Sequence, residues 1–297
     1  MIRSGTLYSD NFQEYSLKGE KLERLHKELL AMLLDVKAVC DKNGIDYMLY
    51  AGSLIGAIRH KGFIPWDDDI DLMMLRKEAM RFIKCFREEF PDKYVIYEPL
   101  DSSTYIYKMI KIYKKGTTFI EVPFSGVPGP NMLFLDVFLI ENVPASPFVR
   151  KIKGKVYETA FRAASLCVDY KYPSDLIMSK FDQSEDLKKY YNYRRRWGRF
   201  FNFFGGMKFY IKICEKLGNQ KKVTGYMSLV SDFSYGWLTF PSKMYEEVIE
   251  TDFEGYQIKI PKDYDGFLTC LYGDYMTIPE ESKRRYHVAY KVDFGDK

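Results

Sequence analysis

Cysteine is sparse in this chain, and its placement suits neither of its structural uses. Five residues, Cys40, Cys85, Cys167, Cys214 and Cys270, lie far apart, none in CxxC spacing, and the count is odd. A disulfide framework and a structural zinc site are both disfavoured, and the pattern fits a reducing compartment. The opening residues MIRSGTLYSDNFQEY lack the apolar centre of a secretory signal. No run of about 18 apolar residues occurs, so no segment is expected to span a bilayer. The default location is therefore the cytoplasm, with attachment at a membrane surface left open. Charge of one sign is lacking too: 45 basic against 41 acidic residues leave +4, too mild to name nucleic acid as the partner. Internal repeats and low-complexity segments are absent.

What is abundant is aromatic. Tyr, Phe and Trp make up 17% of the 297 residues, within a hydrophobic content of 46%. That excludes a disordered chain and favours a well-packed one with stacking or interfacial surfaces. The length suits one large domain or two small ones. Apolar residues at Leu22, Leu25, Leu29, Leu33, Val36 and Cys40 have helical spacing, and Asn43-Gly44 supplies a stop. Ile45–Ala51 reads as a buried strand broken by Gly52-Ser53, followed by a short helix to His60 and a loop to Trp66. A second strand follows the aspartates through Met74, and Arg76–Phe90 reads as a helix ended by Pro91. The period then shifts to two: Tyr94–Tyr97, Tyr105–Tyr113 and Thr117–Val122 read as strands, as does Leu133–Phe138. Helical patterning runs from Phe148 to about Gly218. A hairpin about Gly255-Tyr256 and a helix over Asp263–Tyr272 close the pattern.

This order predicts an α+β chain with a mixed sheet core, helices and a helical C-terminal half. Residues 1–145 are expected to form the core, 146–225 a helical basic and aromatic segment, and 226–297 a segment completing the unit.

The chemistry concentrates in a few carboxylates. Asp69 and Asp71 flank one apolar residue, so on a strand they share a face. Two carboxylates so close invite a cation, and oxygen-only ligands suit Mg²⁺ or Mn²⁺. Asp136, alone in the apolar strand LFLDVF, is the natural third ligand, because an unpaired aspartate there is costly to bury. Upstream, a strand that ends in Gly52-Ser53 and opens a helix offers backbone amides and a hydroxyl to a phosphate. The plainer alternative is a solvated acidic loop beside an ordinary turn.

Gly-Ser, then Asp-apolar-Asp, then a later apolar-Asp-apolar strand resembles the nucleotidyltransferase fold. The segment AGSLIGAIRHKGFIPWDDDIDLMMLR resembles the signature of the LicD family, related to the fukutin-type enzymes. KIYKKGTTF, FLDVFLIENVP and LYGDYMTIPEESKRRYH also fall in register, with Ile278-Pro279 departing from the two prolines of many relatives. The resemblance implies a phosphotransferase that moves phosphocholine, or a polyol phosphate such as ribitol phosphate, from a CDP-linked donor to a sugar hydroxyl of a cell-surface glycan or its lipid-linked precursor. CMP would be released. Metal would sit on Asp69, Asp71 and Asp136. Gly52 and Ser53 would hold phosphate oxygens, with Arg59 and Lys111 as further donor-binding candidates, and Asp136 or Asp67 would take the acceptor's proton. Rival readings are transfer of NMP from an NTP, a metal-dependent glycosyltransferase, and a glycan-binding module without turnover.

One segment is strongly polarised. Residues 187–222 hold eleven Lys and Arg against a single acid, Glu215. Tyr190, Tyr193, Trp197, Phe200, Phe201 and Phe204 fall on one helical stripe, which is expected to pack on the core, with Arg195, Arg196 and Arg199 largely off it. The charge suits an anionic partner, either membrane headgroups or a lipid-linked pyrophosphate acceptor.

Overall fold

The computed structural model describes residues 4–101, 105, 107–230, 235, 238–281, 284 and 288–295. In chain order the elements are α1 (Ser4–Asn11), α2 (Glu20–Asn43), β1 (Met48–Leu49), α3 (Ala51–Ile55), β2 (Asp71–Leu75), α4 (Arg76–Glu89), β3 (Tyr94–Tyr97), β4 (Ile110–Lys114), β5 (Thr118–Glu121) and β6 (Phe134–Asn142). They continue with α5 (Pro147–Lys171), α6 (Asp175–Met178), α7 (Glu185–Phe203), α8 (Gly206–Gly218), β7 (Tyr226–Leu229), β8 (Thr239–Pro241), α9 (Lys243–Glu246), β9 (Val248–Phe253), β10 (Tyr256–Pro261), α10 (Tyr264–Tyr272) and β11 (Ala289–Asp293). The chain is α+β, as its patterning predicts.

The main sheet runs β1-β2-β6-β4-β3, with β7 and β8 added beyond the far half of β6. Strand β6 is its centre, buried from Leu135 to Glu141, which is why its sequence is a near-continuous apolar run. It lies parallel to β2 on one side. On the other it pairs antiparallel with β4 through Phe134–Val137 and with β7 through Ile140–Asn142. Helices α2 and α4 cover this sheet. The apolar positions of α2 named above are buried, and the helix ends at Gly44 in the left-handed conformation. The sequence reading differs at several ends. The strand expected at 45–51 is paired only at Met48–Leu49, the one expected from Tyr105 begins at Ile110, and β7 and β8 carry no alternation strong enough to announce them.

The larger difference concerns α7. Its buried face is Leu187, Tyr191 and Gly198, with Arg194 between them. The Arg194 guanidinium is bonded to Asp169 and, at 2.6 Å, to Ser165 Oγ, both on α5. Gly198 lets the two helices close up: a Cβ there would strike the Leu166 carbonyl and Tyr170. This orientation splits the expected stripe: Tyr193, Trp197, Phe200 and Phe204 are exposed, while Tyr190 and Phe201 are half-buried against apolar clusters.

A second buried charge cluster ties the layers together. Arg76, the first residue of α4, is bonded to Glu141 on β6 and lies 3.2 Å from Glu215 on α8. Burial raises the Glu141 carboxyl from its ordinary 4.5 to about 7 despite the guanidinium. The folded chain thus holds this proton more tightly than the unfolded chain. The group's contribution to stability falls as pH climbs from about 4.5 through about 7, at up to about 1.4 kcal/mol per pH unit. Glu141→Gln should flatten the pH dependence of urea-unfolding free energy across this window, and an unchanged slope would contradict the assignment.

Candidate active site

The site grows from the junction of β1 and α3. Ala51 takes a left-handed φ of +47°, a strained setting for a residue with a side chain, and it turns the chain sharply into the Gly52-Ser53 corner. Ser53 is buried, and its Oγ accepts the Asp71 N–H at 2.9 Å. The Asp71 carbonyl accepts from Tyr50 N–H at 2.9 Å. Both backbone groups of Asp71 are therefore fixed by the residues flanking the turn, which locks corner and carboxylate strand together. Gly52 has a different reason to be glycine. A Cβ there would come within 2.5 Å of Asp67 Oδ2, so the Asp67 carboxylate lies against the turn.

The aspartate loop is held from outside. The Asp67 carbonyl accepts from His26 Nε2 at 2.6 Å, and the His26 ring stacks on Phe63 at 4.1 Å. Glu254, in the β9–β10 turn, accepts the Phe63 N–H at 3.1 Å and donates its own N–H to the Lys61 carbonyl at 2.8 Å. The distant hairpin thus braces the loop that delivers Asp67, Asp68 and Asp69.

Register then builds the charged row. Asp71 on β2 stands opposite Asp136 on β6, and Asp136 stands opposite Lys111 on β4. Directly opposed residues share a face, so the three occupy one line across neighbouring strands. Lys111 Nζ is 2.9 Å from Asp136 Oδ2 and 2.8 Å from Oδ1. The ammonium is buried over the rings of Phe134, at 3.3 Å from the centroid, and Tyr107, at 4.3 Å. Burial raises the Asp136 carboxyl to about 6; Lys111 opposes the shift, and the charge of Asp69 adds to it. Asp69 is thereby placed within electrostatic reach of Asp136.

Arg59 and its neighbours tie the turn after α3 to the C-terminal segment. A π-helical turn, Gly56–His60, carries Arg59, whose Nη1 donates to the carbonyls of Tyr275 at 2.6 Å and Thr277 at 3.4 Å. Its Nε donates to His60 Nε2 at 2.9 Å, so Nδ1 carries the proton of a neutral ring. Burial, then the Arg59 charge, lowers the His60 pKa. His60 meets Trp66 edge-on, and the Arg284 guanidinium lies 4.0 Å from the Trp66 ring centroid. Arg59 and Trp66 are therefore brought together with Tyr275, Thr277 and Arg284 of the C-terminal block, whose last residue, His287, lies outside the described residues. The roles of His26, Glu254 and Arg284 carry no local sequence signal, because each acts across a long stretch of chain.

The donor set fits a hard cation: carboxylate oxygens only, with Asp136 Oδ1 buried and lacking a hydrogen bond of proper angle. As they stand, no three His, Cys, Asp or Glu side chains among the described residues are close enough to hold an ion together. Lys111 is the counter-charge to Asp136 in this arrangement.

Residues 44–143 match the family described as LicD/FKTN/FKRP, nucleotidyltransferase domain. The chain is 31% identical over 286 residues to the lipopolysaccharide cholinephosphotransferase LicD of Haemophilus influenzae, covering 91% of this chain and 97% of that protein. It is also 33% identical over 75 residues to an uncharacterized protein of Rickettsia prowazekii, covering 25% of this chain and 27% of that one.

Ser53→Ala should leave the Asp71 N–H without its acceptor and cost about 1–3 kcal/mol in denaturant unfolding. Gly52→Ala should destabilise by displacing Asp67, and adding Asp67→Ala should relieve much of that loss. Strict additivity in this double-mutant cycle would refute the contact.

Proposed function

The chain belongs to the LicD family, and from that premise we propose that it transfers phosphocholine from a CDP-linked donor to a sugar hydroxyl of a cell-surface glycan or its lipid-linked precursor, releasing CMP. A polyol phosphate in place of phosphocholine uses the same chemistry. The relative of Haemophilus influenzae, matched over nearly its whole length, favours choline and a lipopolysaccharide-type acceptor. The observation that carries the reading is the row Asp71–Asp136–Lys111 beside the Gly52-Ser53 corner.

In the transfer, the acceptor oxygen forms a bond to the choline-bearing phosphorus while the bond from that phosphorus to the CMP oxygen breaks. The hydroxyl proton goes to a carboxylate. Asp136, in the row with Asp71, and Asp67, against the Gly52 turn, are the carboxylates placed to take it. Lys111 brings a fixed positive charge to the same row for the phosphate oxygens. The first amides of α3, which have no partner within the helix, and the Ser53 hydroxyl, which can still donate, would serve the same phosphate oxygens. Mg²⁺ or Mn²⁺ held by Asp69, Asp71 and Asp136 would neutralise the pyrophosphate and stabilise the departing CMP. Arg59 spends its Nη1 on the carbonyls of Tyr275 and Thr277, which makes its effect on donor binding indirect. A lipid-linked acceptor places the reaction at the cytoplasmic face of a membrane, where the enzyme is peripheral. No helix among the described residues is long and apolar enough to cross one.

A panel of CDP-choline, CDP-ribitol and CDP-glycerol with Mg²⁺ and a lipopolysaccharide acceptor tests this. CMP should appear with CDP-choline and stop on chelation. Asp69→Asn and Asp71→Asn should each cut the rate about a hundredfold or more while leaving thermal unfolding nearly unchanged. Pyrophosphate from an NTP would indicate nucleotidyl transfer instead, NDP from a sugar nucleotide glycosyl transfer, and no product a binding module.

A further inference from the structure

Eight aromatic residues of α7, α8 and the corner between them form one ring cluster, most of it at the surface. Ring contacts run without a gap from Tyr193 to Trp197, on to Phe200 and Phe201, then to Phe204 and Phe203, and through Tyr210 to Phe209, with centroid separations of 4.8–6.4 Å. Six of these rings are exposed, and Phe203, at the corner where α7 gives way to α8, is 83% exposed. Gly205 and Gly206 both take positive φ there and make the corner sharp.

The cluster is rimmed by cations. Arg196 and Arg199 on α7, and Lys208 and Lys212 on α8, are exposed around it. Among the described residues, no carboxylate pairs with these four. The single acid of the surrounding stretch, Glu215, faces inward onto Arg76. Arg194, which the sequence alone would add to this surface, is withdrawn into its bond with Asp169.

We infer that this corner is a membrane-docking element whose rings enter the interface of an anionic bilayer while the four cations engage lipid headgroups. Charge complementarity selects the partner. A soluble polyanion would answer the cations but leave the exposed rings in water. A second copy of this face would set a strongly basic surface against itself. An anionic bilayer supplies negative charge at its surface and apolar depth directly beneath, matching the arrangement of cations around rings. The inference extends, and rests on, the peripheral location proposed above. Its test needs neither donor nor acceptor, so its failure would leave CMP release untouched and is read separately from it.

Flotation of the full chain with vesicles of phosphatidylcholine, with and without one quarter phosphatidylglycerol, is the measurement. Binding is expected only to the anionic vesicles, and bromolipid quenching should be lost in Trp197→Phe. Phe200→Ser/Phe203→Ser/Phe204→Ser should reduce partitioning about tenfold or more even at low salt. Arg196→Gln/Arg199→Gln/Lys208→Gln/Lys212→Gln should reduce it about tenfold or more and remove its salt sensitivity. All seven positions carry exposed or solvent-facing side chains, and retained thermal unfolding certifies the variants. No flotation of the wild type at low salt, flotation indifferent to both variants, or a dimer that the Phe variant abolishes would each overturn the proposal.

Discussion

An ionised carboxylate in the middle of an apolar strand needs a counter-charge, and Lys111 supplies it to Asp136. Breaking such a buried pair by removing one partner typically costs about 3–5 kcal/mol, because the survivor is left uncompensated. Much of the surrounding architecture follows from meeting that need. Lys111 must stand opposite Asp136, which fixes the β4–β6 register, and its stem must be covered, which Phe134 and Tyr107 do. The pair is also a poised arrangement. Lys111 sits against both oxygens of Asp136 and still does not cancel the burial that raises the carboxyl's affinity for a proton.

Around that row the fold spends its long-range contacts on backbone rather than on reactive side chains. Ser53 and Tyr50 hold the main chain of Asp71, His26 holds the carbonyl of Asp67, and Glu254 holds Lys61 and Phe63. Each fastens the main chain of a carboxylate-bearing segment or of the loop that leads to it. Arg59 repeats the pattern by binding carbonyls of the C-terminal segment. A reaction whose charge develops on phosphate oxygens gains most from groups held in place beforehand, so backbone anchoring of the acidic loop suits phosphoryl transfer.

The parts legible in the sequence are those with local patterns. The Gly52-Ser53 corner, the Asp69–Asp71 spacing and the lone Asp136 all stand out because a polar residue inside an apolar run needs a reason. The α2 and α4 helices and the β9–β10 hairpin are legible from period and turn chemistry. What was not legible depends on register or on distant partners. The pairing of Lys111 with Asp136 exists only once β4 and β6 are aligned, and Arg59 meets residues more than two hundred positions away. The aromatic stripe of α7 misled for a related reason. Its period is the same whether it faces core or solvent, and the choice was made by Gly198 and by Arg194 with Asp169.

The central claim, that the aligned carboxylates form a cation-dependent donor site, is tested most directly by counting free Mn²⁺ by electron paramagnetic resonance as CDP-choline is added. The account predicts tight Mn²⁺ uptake that depends on CDP-choline and is lost in Asp71→Asn, a variant that should remain folded. Uptake that is absent in the wild type, or that persists unchanged in Asp71→Asn, would contradict it.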